Sequence, residues 1–188
     1  MEMKQFLDAI HKVDDEVFEE YFNLWQPCDF PKKGIITAEG SVEKYMYFVL
    51  EGIQKSYHFD DKKDYVIAFT YPPSFSGIPE SFFTQKPAAY CLETITKSKM
   101  LRISYENHHN QIAKHRQLET LFRKATELLL VGVMQRYIEL MSLSIESRFK
   151  TFVKRSPHLI NQISQKDLAS YLRIDATNFS KLINSIKI

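Results

Sequence analysis

The stretch QKDLASYLRIDATNFSKL, residues 165–182, concentrates side chains suited to chemistry with a large partner. Ala176, Thr177, Asn178, Ser180 and Lys181 are spaced to share the outer face of a short helix, with Phe179 and Leu182 turned the other way. Their groups match those that read nucleic-acid bases. An Asn amide pairs bidentately with adenine, a Thr meets either base type or a thymine methyl, and a Lys reaches guanine or phosphate. Lys166 and Lys187 suit phosphate oxygens, as do the amide ends of the helices, and Arg173 adds a further cation.

Two elements must hold that face. Ser164 followed by Asp167 resembles a capping box and predicts a helix over 165–172. Asp175 is a good N-cap for a second helix starting at Ala176. Only Arg173 and Ile174 separate them, which is the short turn of a helix-turn-helix. Leu168, Leu172, Phe179 and Leu182 are apolar where two crossed helices must touch, and Ala169 is small where their backbones approach. In that motif the second helix enters the major groove. The turn usually favours Gly because its φ is positive, and here it carries Arg173. A plain helical hairpin capping the body is the competing reading of the same spacing.

Charge follows the same division. Residues 146–188 hold eight Lys/Arg against three Asp/Glu, while residues 1–145 hold 17 against 20. A basic terminal segment on an acidic body fits a polyanion partner.

Upstream, apolar residues between Phe6 and Phe22 recur at helical spacing, predicting one or two acidic amphipathic helices closed by Pro27 and Pro31. From Lys33 to Tyr105 the period changes to two. GIITAEG, YMYFVLEG, IQKSYHF, DYVIAFTY, AYCLETIT and KMLRISY read as short strands, divided at Gly40, Gly52, Asp60-Asp61 and Pro72-Pro73. Such spacing predicts an antiparallel roll or jelly-roll barrel. From about Asn107 to Ser144 the pattern is helical again. Leu118, Phe122, Ala125, Leu129 and Gly132 form a coiled-coil-like seam. Leu128, Leu130, Val131 and Val133 make its middle apolar all round, so it needs two partner surfaces, the barrel and a second copy of itself.

The order of acidic helix, β-roll, long helix and basic helix-turn-helix resembles the CRP/FNR family of bacterial transcription regulators. YMYFVLEG (45–52), FSGIPESFF (75–83), KMLRISYE (99–106) and QKDLASYLRIDATNFSKL carry the resemblance. The fold expected is α+β: an N-terminal antiparallel β-roll with flanking helices, a long dimerisation helix, and a C-terminal helix-turn-helix domain. The expected division is 1–112 for a cyclic-nucleotide-binding-like effector roll, 113–145 for the dimerisation helix and 146–188 for DNA binding. The resemblance implies a homodimer on a two-fold symmetric DNA site, and a contact with RNA polymerase. Many members carry a β-wing after the recognition helix; with six residues following Leu182 in the sequence, no wing is expected here.

The ligand region departs from that family. The resemblance places the pocket at Gly77, Ile78, Glu80, Ser81, Lys86, Pro87, Ala88 and Ala89. Cyclic-nucleotide-binding members have Gly-Glu where this chain has Gly77-Ile78, and an Arg where it has Pro87. Proline supplies neither the guanidinium nor an N–H. Cyclic-AMP anchors are therefore lost unless Lys86 or Glu80 replaces them, and no cofactor is assigned. Three readings stand: a dimeric DNA-binding regulator with an unidentified effector or none, a cyclic-nucleotide receptor with unusual anchors, and a protein-interaction module that no longer reads DNA.

Other classes find little footing. No G-x-S-x-G, Gly-rich phosphate loop or paired His/carboxylate spacing points to an enzyme. Cys28 and Cys91 lack metal spacing and read as reduced thiols. His108, His109 and His115 read as exposed helix-end residues rather than ligands. The barrel aromatics Tyr45, Tyr47, Phe48, Phe69, Tyr71, Phe75, Phe82, Phe83 and Tyr90 read as core, which still allows an apolar effector. The acidic N-terminus has no apolar run of the secretory kind, and LLLVGVM is too short to span a bilayer, so a soluble cytoplasmic protein without a membrane partner is expected.

Overall fold

In the computed structural model, residues 2–60 and 62–185 are described. Helices α1 (Glu2–Ile10) and α2 (Asp15–Phe22) precede eight strands. The first sheet has the order β1-β8-β3-β6, from β1 (Gln26–Phe30), β8 (Ser98–Ser104), β3 (Tyr45–Glu51) and β6 (Ser74–Ser76). The second has the order β2-β7-β4-β5, from β2 (Ile35–Thr37), β7 (Cys91–Thr94), β4 (Gln54–Asp60) and β5 (Lys63–Thr70). All pairings are antiparallel.

The two sheets make the roll that the period-two runs predict. Strand β3 is buried on both faces. Met46 and Phe48 join the helices in one core with Leu7, Phe18, Tyr21 and Phe122, while Tyr47 and Val49 pack inside the roll with Met100. The aromatic richness is thus mainly core: Phe48 and Phe82 are buried, although Phe83 is exposed.

Three features differ from the sequence reading. Pro27 does not close the first segment but lies inside β1, an edge strand where a missing N–H breaks no ladder on the free side. Strand β6 is only three residues long, too short for a visible period. The helical stretch after Tyr105 is broken: α4 (Tyr105–Lys114) and α5 (Arg116–Ser142) meet at His115, whose φ of −120° and ψ of 107° are extended.

Helix α5 runs 27 residues, about 40 Å. Leu118, Leu121 and Phe122 anchor its first turns in the core. Beyond them Leu128, Leu130, Val131, Val133, Tyr137 and Met141 are exposed, Val131 by 66% and Met141 by 71%. Around Gly132 there is open space in the single chain.

Helix α6 (Ile145–Arg155), a 3₁₀ turn (Pro157–Leu159), α7 (Gln165–Leu172) and α8 (Ala176–Ser185) complete the chain. They do not stand apart. Phe149, Phe152, Leu168, Leu172, Ile174 and Phe179 share one core with Ile53 of the roll, and Phe69, Tyr71 and Ile95 pack against it. Ser170 closes the edge of β5: its hydroxyl donates to the Asp64 carbonyl at 2.7 Å and accepts from the Val66 N–H at 2.9 Å. Lys55, 7% exposed, bridges the same seam to Asp167 at 3.1 Å and Asp64 at 3.4 Å.

Candidate nucleic-acid interface and ligand region

The helix pair is built from its caps. The Ser164 Oγ accepts from the Asp167 N–H at 3.0 Å and donates to the Asp167 carboxylate at 2.8 Å. Asp175 accepts the Asn178 N–H at 2.9 Å, and its side chain also bonds the Asn178 amide. These bonds hold the Asp175 carboxyl below its ordinary range. Each cap satisfies an N–H that the first helical turn would otherwise leave unpaired.

The turn between them is left-handed. Arg173 has φ +55° and ψ +44°, and the Ile174 N–H reaches back to the Ala169 carbonyl at 3.0 Å. A non-glycine there costs roughly 1–2 kcal/mol. The guanidinium carbon lies 5.5 Å from the Tyr65 ring centroid, a cation–π contact that returns about 0.5–1 kcal/mol. The Gly preference of such turns is therefore offset by a contact with the roll.

On α8, Phe179 is buried against Phe149 at 5.8 Å between ring centroids, and Ala176, Thr177, Asn178, Ser180 and Lys181 are exposed. The five residues singled out by spacing thus share one open face. Lys166 and Arg173 are exposed nearby, and both line a cleft of about 440 Å³ between α7, α8 and β5. Lys187 lies outside the described residues. A second cleft of about 410 Å³ lies between α6 and α8 beside Asn178 and Lys181.

The long helix is tied to this unit by polar contacts. The Arg136 guanidinium lies 3.7 Å from the Tyr171 ring centroid and donates to the Tyr171 carbonyl. Arg155 pairs with the buried Glu139 at 3.4 Å.

The eight residues of the ligand region fall on α3 (Pro79–Thr84) and its flanks. Gly77, with φ +147°, turns the chain so that Ile78 is fully buried where a carboxylate would be needed. Glu80 is exposed and accepts the Tyr90 hydroxyl at 2.9 Å. The Ser81 hydroxyl donates to the Lys86 carbonyl at 2.5 Å and accepts from the Glu43 N–H at 2.9 Å. Lys86 is exposed. Pro87 bridges Val42, Ala88 exchanges backbone bonds with Gly40 and Ser41, and the Ala89 carbonyl meets His58 at 3.2 Å. Backbone neighbours therefore hold this segment, and its one cation faces outward.

Among the buried ionisable groups that spacing missed are Glu43 and His108. Glu43 is 1% exposed and accepts the Thr37 hydroxyl at 2.7 Å; burial raises its pKa against the pull of Thr37 and nearby N–H groups. His108, expected at an exposed helix end, is 3% exposed instead. It packs on Phe122 at 4.6 Å and shares a 2.8 Å hydrogen bond with the Tyr21 hydroxyl. Helical periodicity alone carried a signal for it: His108 lies four residues before Ile112, which packs against the same core.

Among the described residues, no group of three or more His, Cys, Asp or Glu is placed to hold a metal ion, and no helix is long and apolar enough to cross a membrane.

Residues 27–115 match the sequence family of the cyclic nucleotide-binding domain. No curated protein matches the chain by sequence. Among solved structures, FixK2 from Bradyrhizobium japonicum superposes with a TM-score of 0.74 at 17% identity, over 85% of this chain and 83% of its own. The c-di-GMP responsive global regulator CLP of Xanthomonas campestris gives 0.67 at 17%, over 91% and 90%. The catabolite activator protein of Thermus thermophilus gives 0.59 at 17%, over 94% and 84%. Residues 27–115 are thus similar in sequence to the cyclic nucleotide-binding domain, and the chain as a whole shares its fold with FixK2, CLP and the catabolite activator protein.

Proposed function

We propose that the protein is a homodimeric, sequence-reading DNA-binding regulator whose roll does not use the usual cyclic-nucleotide anchors. One observation carries the reading: on α8 the buried Phe179 and the Asp175 cap fix a helix whose exposed face is Ala176, Thr177, Asn178, Ser180 and Lys181. That face offers an amide, hydroxyls and an ammonium to a groove and no large apolar group. The exposed apolar length of α5 supports a second copy as its partner, which would present two recognition helices related by a two-fold axis. The shared fold with CLP, a global regulator, favours the same reading by analogy of fold.

Selection of random duplexes by the purified protein tests it, run without ligand and with cyclic AMP or cyclic GMP. The expected result is a two-fold symmetric motif enriched without nucleotide and bound more weakly by Lys181→Ala. Enrichment only with nucleotide would restore the ligand role of the 77–89 segment. No enrichment in any arm would reject DNA reading.

A further inference from the structure

The cleft beside α8 is shared by two parts of the chain. Its walls are Lys63, Asp64 and Tyr65 of β5, with Lys166 and Arg173 of the helix pair, and it extends to Ala176, the first residue of α8. Lys63 Nζ lies 4.7 Å from the Tyr65 ring centroid, and the Arg173 guanidinium carbon 5.5 Å from it. Two cations are therefore gathered at one aromatic ring.

The acidic groups in the cleft, Asp64 and Asp175, and Asp167 beside it already have partners. Asp64 and Asp167 are held by Lys55, and Asp175 caps α8. By contrast Lys63, Lys166 and Arg173 make no ion pair among the described residues, and all three are exposed. Asp60 stands opposite Lys63 in the β4–β5 register without pairing to it. With no carboxylate ion-paired to these three cations among the described residues, an anion brought to them gains their direct attraction. Arginine presents a planar fork that matches phosphate oxygens, and lysine adds a point charge.

We propose that the end of the β4–β5 hairpin is a second DNA-contacting element, in which Lys63 and Arg173, both gathered at the Tyr65 ring, hold a backbone phosphate of the strand whose bases meet α8. The inference rests on the DNA-binding reading and adds to it a residue from the roll. Because the cleft reaches Ala176, a duplex seated on α8 brings its sugar-phosphate backbone to this point. The contact is with phosphate, so it adds affinity without base preference.

Fluorescence anisotropy with the full-length protein tests it, on a selected duplex and on a scrambled duplex of equal length, over a series of salt concentrations. Each phosphate contact contributes about 0.9 to the slope of log affinity against log salt, roughly eightfold per tenfold change in salt. Lys63→Ala is expected to flatten the slope by about that amount and to weaken both duplexes by the same factor. Lys12→Ala, an exposed cation between α1 and α2, is expected to leave the slope unchanged. If Lys63→Ala binds with the wild-type slope while Lys181→Ala weakens the selected duplex, the hairpin contact is wrong and the DNA reading survives. If wild type binds neither duplex even at the lowest salt, both fall. A third arm measures the melting temperature with inorganic pyrophosphate. Stabilisation of wild type but not of Lys63→Ala, with no change in slope, would overturn the inference and assign the cleft to a free anion.

Discussion

His108 makes the stability of this fold sensitive to acid. Its ring is enclosed by Tyr21, Phe82 and Phe122, and its Nε2 has no hydrogen-bond partner among the described residues. Burial, with added repulsion from His109, lowers its pKa from 6.5 to about 4. The unfolded chain therefore takes up a proton between those values that the folded chain refuses. The stability linked to His108 is complete above pH 6.5 and is lost as pH falls through 4. By linkage the loss is about 2 kcal/mol at pH 5 and about 3 kcal/mol at pH 4. Other titrating groups contribute too, so the assay is a difference between two proteins. Urea unfolding of wild type and His108→Gln, followed from neutral pH to pH 4, isolates the residue: Gln keeps a hydrogen-bonding group near Tyr21 and does not titrate. The gap between the two stability curves should close, or reverse, by about 3 kcal/mol across that range. Parallel curves would refute the argument that this ring is neutral because it is buried.

Three further outcomes follow from other buried or exposed groups. Lys55→Met leaves Asp64 and Asp167 facing each other without their cation; since the two carboxylates are 22% and 15% exposed, the loss should be about 2–4 kcal/mol in denaturant unfolding, with α7 losing hydrogen-exchange protection first. A loss below about 1 kcal/mol would mean that the bridge does not hold the helix pair to the roll. Val131→Glu places two unpaired carboxylates in any α5–α5 contact, so light scattering at micromolar protein should show monomers with unchanged helical content, a shift of roughly a hundredfold or more in Kd. Glu43→Gln should raise stability at neutral pH, because the folded pKa of Glu43 lies above 4.5 and its stability falls as pH rises through that value; the gain should vanish toward pH 4. Circular-dichroism melts at both pH values check it, and a loss at neutral pH would show that Thr37 and the backbone donors require the charged form.

What the sequence could convey depended on how local the cause was. The caps at Ser164 and Asp175 are settled within three residues, and both were legible. The roll was legible as a run of short β-branched and aromatic segments, but β1 was not, because Pro27 and Pro31 look like breakers until the strand is known to lie at an edge. The tolerance of Arg173 in a left-handed turn depends on Tyr65, more than a hundred residues earlier, and no local pattern carries that. His108 is the same kind of case: its burial comes from three other helices closing on it. In the candidate site, the exposed face of α8 followed from periodicity, whereas the cleft next to it exists only because β5 packs on α7.

The apolar seam from Ile53 through Phe69 and Tyr71 to Phe152 and Leu168 has an engineering consequence. A chain cut near Leu143 would leave both fragments with uncovered aliphatic and aromatic surface, so each is expected to aggregate rather than behave as a separate module. Exchange of the C-terminal helix pair between relatives should succeed only when the outer face of strand β5 travels with it. The unit of inheritance here is a helix pair together with its docking strand.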